Sequence, residues 1–106
     1  MKTVNLPTQN ARLRIFRKDE LQAFLKRYKI EHGSQLCLTC ETGIWIGDVN
    51  VDSCAHEATH YVDWLLEDWL ECEQGTLASN NELRAYLVGY VTQKVWDYVS
   101  SPQRTV

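Results

Sequence analysis

The 106-residue chain reads as one small α+β domain. Three observations lead there. Residues 13–16 alternate apolar with basic side chains, and residues 36–49 read as two short strands around a Thr42-Gly43 turn. Three other stretches carry apolar residues at helical spacing. The length leaves room for a single modest core, and the 44% hydrophobic content is ordinary for a globular chain.

Taken in order, residues 1–10 offer no periodic signal and read as a loose start. Residues 13–16 alternate apolar with basic, as a short strand would. Asp19 is a suitable N-cap for a helix through Tyr28, with Leu21, Phe24, Leu25 and Tyr28 at helical spacing, and residues 32–34 are expected to end it. Residues 36–41 and 44–49, joined by Thr42-Gly43, read as a β-hairpin with Ile44 and Ile46 on one face and Trp45 on the other. Asp52 or Ser53 caps the next helix, expected to run to about Cys72. Residues 74–79, with Gly75 inside, form an interhelical loop. Asn80 or Asn81 then opens a last helix to about Val99, which Pro102 prevents from extending, and residues 101–106 read as a loose end. The order is strand, helix, hairpin, helix, helix, with the two C-terminal helices packed on a small sheet.

His56, Glu57 and His60 make the pattern His-Glu-x-x-His inside the fourth of these elements. Histidines four apart on a helix share a face, so both imidazoles can hold one zinc ion. Glu57 beside them is placed to take a proton from a metal-bound water, the chemistry of a zinc hydrolase. A catalytic zinc usually has three protein ligands and one open position. Glu82 is the expected third, because Glu82, Tyr86, Gly89 and Gln93 share a face of the last helix, and Ala85 and Gly89 would let that helix lie close to the histidines. The plainer role for Glu82 is an acid favoured by the helix dipole in the first turn. Asp63 competes for the metal, since its direction on the helix differs from that of His56 by about 20°. It lies nearly a turn past His60, so its expected task is to hold the ring of His60 or a neighbour by hydrogen bond, the plainer reading being an exposed acid.

With Glu82 falling 22 residues after His60 in a Asn-Glu-x-x-Ala setting, the chain resembles the gluzincin branch of zinc metallopeptidases, at the size of the minimal zincin domains of phage and prophage proteins. The resemblance spans residues 44–93. It implies an active-site helix, a glutamate helix, and a sheet whose edge strand lines the cleft. It also implies that His56, His60 and Glu82 ligate Zn2+, that Glu57 is the general base, and that the substrate is a peptide or protein. Tyr86, one turn after Glu82, is a candidate donor to the oxyanion, though tyrosines on helices more often pack. The strand at residues 44–47 could add an extended substrate by pairing with it, or Trp45 could simply cover the core. The chain lacks the C-terminal subdomain of larger gluzincins, so a protein partner could complete its cleft.

Two other readings compete. Cys37-x2-Cys40 followed by His56-x3-His60 is close to a Cys2His2 zinc site, but odd spacing on a strand points the two thiols to opposite faces, and Asp63, Glu67, Asp68 and Glu71 do not suit a base-reading helix. A non-catalytic protein on a zincin scaffold, of the phage inhibitor type, would instead dock a partner through surface aromatics among Trp45, Trp64, Trp69 and Trp96. No 18-residue apolar run and no secretory h-region are visible, so a cytoplasmic protein is expected, with Cys37, Cys40, Cys54 and Cys72 as reduced thiols. The net charge is -3, yet residues 1–32 hold eight Lys and Arg against three acids. Without interleaved stacking aromatics this reads as a solvated basic face rather than a nucleic-acid site.

Overall fold

The structure, a computed structural model, describes residues 1–6, 11–33, 35–69 and 81–101. Among these the chain forms β1 (Lys2–Asn5), β2 (Arg12–Phe16), α1 (Leu21–Tyr28), β3 (Cys37–Cys40), β4 (Gly43–Ile46), α2 (Val51–Trp64) and α3 (Asn81–Val99). The strands make one mixed sheet in the order β1-β2-β4-β3. Both outer pairs are antiparallel and the central β2–β4 pair is parallel.

Period-two alternation explains how this sheet is covered. Leu13, Ile15, Ile44 and Ile46 point to one face and are buried with Ala58, Tyr61, Val62 and Leu65 of α2 and its continuation, and with Leu87, Val91 and Val95 of α3. Phe16 and Trp45 point to the other face, where α1 lays Phe24 against them, with Phe16 and Phe24 edge to face at 5.1 Å. Each such aliphatic side chain contributes about 1.5–3 kcal/mol by leaving water. The two C-terminal helices therefore cover one side of the sheet, as expected, and the short N-terminal helix closes the other. No helix among the described residues is long and apolar enough to cross a membrane.

Several boundaries differ from the sequence reading. Residues 2–5 are a strand rather than a loose start; its one buried residue, Val4, forms with Leu6 just beyond it an alternation too short to stand out. Asp19 lies inside a 3-10 turn, Lys18–Glu20, rather than capping α1, which starts at Leu21 and ends at Tyr28 as expected, closed by Lys29 in the left-handed conformation (φ 54°) rather than by residues 32–34. The hairpin turn is Glu41–Thr42, and Gly43 is the first residue of β4. A Cβ there would run into the ring of Tyr28. Asn50, not Asp52 or Ser53, caps α2, its Oδ1 accepting from the Ser53 N–H at 2.8 Å. After Trp64 the helix loosens into a π-helical turn, Leu65–Trp69. Cys72, the loop at residues 74–79 and Pro102 lie outside the described residues.

The last helix runs back along α2. Its first turn is tied to the end of α2 by Arg84, which donates to both carboxylate oxygens of Asp63 at 2.8 and 3.3 Å, and its final residue, Val99, lines a cleft together with Val49, just ahead of α2. The edge strand β3 lies against the other flank of α2, so the outward face of α2 is left open between them.

Candidate metal centre

That open face carries the histidine pair. In α2 the buried residues are Cys54, Glu57, Ala58, Tyr61 and Val62, and at 100° per residue His56 and His60 fall on the opposite side. Their rings meet edge to face with Nε2 of one 3.1 Å from Nε2 of the other. Without a metal this is a hydrogen bond between a donor and an acceptor tautomer. The same separation fits a shared ion. Two bonds of about 2.05 Å from one zinc span 3.1 Å when they open by roughly 98°, and about 3.4 Å at the tetrahedral angle. The separation is thus compatible with two ligands of one zinc ion as well as with a hydrogen bond.

Glu57 is the buried charged residue among those described, 7% exposed. Its direction on α2 takes it toward β3, where the Thr39 hydroxyl donates to Oε1 at 2.7 Å. The same hydroxyl lies 3.2 Å from the Glu57 carbonyl oxygen, but it has one hydrogen, and the shorter, charge-assisted contact takes it. Oε2 is left facing the histidines, 3.8 Å from His56 Nε2. That gap is too long for a direct hydrogen bond and suits a single atom or water held between the two groups. Thr39 was not singled out by sequence. Its position two residues from Cys37 on one face of β3 is legible, but the pairing with Glu57 exists only once β3 has docked on α2.

Two shallow clefts flank the pair, of about 310 and 460 Å³. Cys37, His56 and Glu57 line both, while His60, Thr39, Glu41 and Trp64 line the larger. The strand beside the site is β3, the sheet edge. Strand β4, expected to receive an extended substrate, is flanked on both sides by β2 and β3 and has no free edge to offer. Trp45 on β4 is buried over α1, its ring N–H directed at the Lys18 carbonyl at 3.3 Å, so it covers the core.

The remaining assigned residues are not brought to the histidines. Glu82 does share a face of α3 with Tyr86, Gly89 and Gln93, and all four are exposed. It precedes the buried Val91 by about two and a half turns and so projects from the side of α3 opposite the core. Gly89 does not serve close helix packing, since a Cβ there would meet nothing within 4 Å. Tyr86 is 51% exposed and stacks on Tyr90 at 6.2 Å, away from both clefts. Asp63 holds Arg84 rather than a histidine ring, and the hydrogen bond to it, together with its charge, raises the Arg84 pKa. Among the described residues, no group of three His, Cys, Asp or Glu is gathered for a metal.

The thiols are separated as odd spacing requires. Cys37 packs toward the main core on the α2 side, Cys40 toward Phe16 and Trp45 on the α1 side, and neither is disulfide-bonded. Cys54 is buried under α2, and burial, with Cys37 nearby, pushes its pKa up to about 11. A closed Cys2His2 site is not formed by these residues. Of the other tryptophans, Trp64 and Trp96 are half-buried against the main core. No protein-family model, curated protein or solved structure matches the chain.

Proposed function

We propose that the chain is a zinc-dependent hydrolase of metallopeptidase type, with His56 and His60 holding the ion and Glu57 as general base. One arrangement carries the reading: two facing Nε2 atoms 3.1 Å apart and the free oxygen of a buried carboxylate 3.8 Å from one of them, at an open cleft. Zinc, when bound, would supply Lewis acidity, lowering the pKa of a water and polarising an amide carbonyl. Glu57 Oε2 accepts the proton of the attacking water and returns it to the leaving amine. Thr39 keeps Oε1 occupied and the carboxylate turned, so one oxygen alone faces the reaction. The edge of β3 offers N–H and C=O groups to an extended peptide laid along the larger cleft.

The third metal ligand is a carboxylate that must be delivered. The gluzincin resemblance assigns Glu82, which would require the first turn of α3 to roll about its axis, and Tyr86 would turn with it. Asp63 needs less. Its pair with Arg84 is about 40% exposed and worth at most about 1 kcal/mol, so a metal can displace it. Peptide cleavage by the zinc-loaded protein and its Glu57→Gln variant tests the function. The variant should keep its zinc and lose about 10²–10⁴-fold in rate. Equal cleavage by the variant would remove Glu57 from the chemistry. No cleavage by either protein, with partner binding untouched by Glu57→Gln, would instead favour a non-catalytic docking protein.

A further inference from the structure

Two thiols that the proposed mechanism leaves unused, Cys37 and Cys54, flank the interface between the edge strand and the histidine helix. β3 and α2 run side by side in the same direction: Cys37 lies toward Asp48 and Ser53, Thr39 against Glu57, and Glu41 toward His60. The Thr39–Glu57 hydrogen bond fixes the level of one element against the other. Two residues back along β3, about 6.8 Å, comes Cys37, on the same face as Thr39. Three residues back along α2, about 4.5 Å, comes Cys54, turned about 60° from Glu57 toward the sheet. The two thiols therefore stand within about 2 Å of the same level, in and beneath the first turn of α2.

Their packing agrees with this placement. Cys54 is fully buried in the main core, and Cys37 packs against that same cluster from β3, while Cys40, on the other face of the strand, packs with Phe16 and Trp45. Cys37 is also close enough for its charge to add to burial in raising the Cys54 pKa. Both thiols are free. The Cys37 sulfur points to the Asp48 carbonyl oxygen at 4.0 Å, a weak contact that a turn of its side chain gives up at little cost. Cys37 is half-buried and lines both clefts, so a reagent reaches it there, whereas Cys54 is closed to solvent.

We propose that Cys37 and Cys54 are an oxidation site, at which a small-molecule disulfide such as oxidised glutathione converts the two thiols into one disulfide that staples β3 to α2. The Cys37 thiolate attacks the reagent, forming a mixed disulfide and expelling one thiol. Cys54, losing its proton, then attacks the Cys37 sulfur and expels the second. The protein gives up two protons and two electrons, and the reagent leaves as two reduced thiols. The staple sits one turn before Glu57 on α2 and two residues before Thr39 on β3, so it holds together the contact that orients the carboxylate. Its bearing on that carboxylate rests on the hydrolase reading, whereas the bond itself does not.

The test keeps the 106-residue chain, metal-free, in oxidised glutathione and maps its disulfides by non-reducing digestion and mass spectrometry. The main product should be an intramolecular Cys37–Cys54 bond, reversed by dithiothreitol. Because the bond closes the sixteen residues between the two cysteines, urea titration should show a folding equilibrium constant about a hundredfold above that of the reduced chain. The Cys40→Ala, Cys72→Ala double variant, which keeps only these two thiols, should oxidise and gain stability in the same way, and Cys37→Ser should gain none of it. The proposal is overturned if Cys54 stays reduced with only glutathione on Cys37, if Cys37 pairs instead with Cys40 or Cys72, or if the oxidised chain is less stable than the reduced one. A mapped Cys37–Cys54 bond in a chain that cleaves no peptide would sustain the oxidation site and sink the hydrolase. Cleavage by a chain that forms no such bond would do the reverse.

Discussion

Replacing Thr39 with valine removes one hydroxyl and little volume, and it isolates what holds the buried carboxylate. The Thr39 hydroxyl donates to Glu57 Oε1 at 2.7 Å, and Glu57 is 7% exposed, so water can replace this donor only poorly. A hydrogen bond to a charged group contributes roughly 1.5–3 kcal/mol, against 0.5–1.5 for a neutral one. Thr39→Val should therefore lower the unfolding free energy by about 1.5–3 kcal/mol, read from urea denaturation of the metal-free protein. In a Glu57→Gln background the same change should cost only about 0.5–1.5 kcal/mol, since the amide oxygen accepts a weaker bond. The difference between the two costs is the coupling between hydroxyl and carboxylate. Equal costs in both backgrounds, or a loss below about 0.5 kcal/mol in the native sequence, would refute the assignment of Thr39 as the group that fixes Glu57.

Glycines give a pair of opposed predictions. Gly89→Ala should stabilise the protein by about 0.8–1 kcal/mol, because the new methyl meets nothing and α3 gains helix propensity; a loss of stability would show that α3 packs closely on that face after all. Gly43→Ala should destabilise by about 1–3 kcal/mol by displacing Tyr28 from Thr42, and an unchanged urea midpoint would contradict the contact. Acid and alkali should act through Glu20 and Tyr98, which share a hydrogen bond of 2.9 Å. Burial raises the Glu20 pKa, but bonds from the Met1 ammonium, the Arg17 N–H and Tyr98 outweigh it and lower the pKa overall. Its stabilisation is therefore complete above the ordinary carboxylate range and lost as pH falls through the lowered value. Tyr98 is pushed up to about 12 by burial and by Glu20, so its stabilisation holds below the ordinary tyrosine pKa and is lost as pH rises toward 12. Urea midpoints should fall at both ends, with Tyr98→Phe flattening the alkaline limb; a limb of unchanged slope would remove Tyr98 from that role.

The parts legible in sequence were those with a repeating pattern. Alternation in residues 13–16 and the apolar run 44–46 after a turn placed two strands, the two-residue period of a strand assigned the faces of Ile44, Ile46 and Trp45 correctly, and helical spacing placed the last helix with its end at Val99. The pair His56 and His60 was legible for the same reason, since a spacing of four on a helix already fixes their proximity. Strand β1 was hidden because Val4 and Leu6 alone make too short a period. The neighbours of the site were hidden because they come from other elements. Thr39 reaches Glu57 across a strand–helix contact, and Arg84 takes Asp63 across a helix–helix contact. Glu82 shows the limit of a single-helix argument: grouping it with Tyr86 and Gly89 was right, but which way that face points is set by Leu87, Val91 and Val95 seeking the core.

Zinc stoichiometry and affinity of the 106-residue chain, with His56→Ala, His60→Ala, Asp63→Ala and Glu82→Ala alongside, test the central claim most directly. The facing imidazoles lead us to expect about one zinc per chain, abolished by either histidine change and weakened by one of the two carboxylate changes. Binding that survives loss of both histidines, or no binding in any variant, would contradict it.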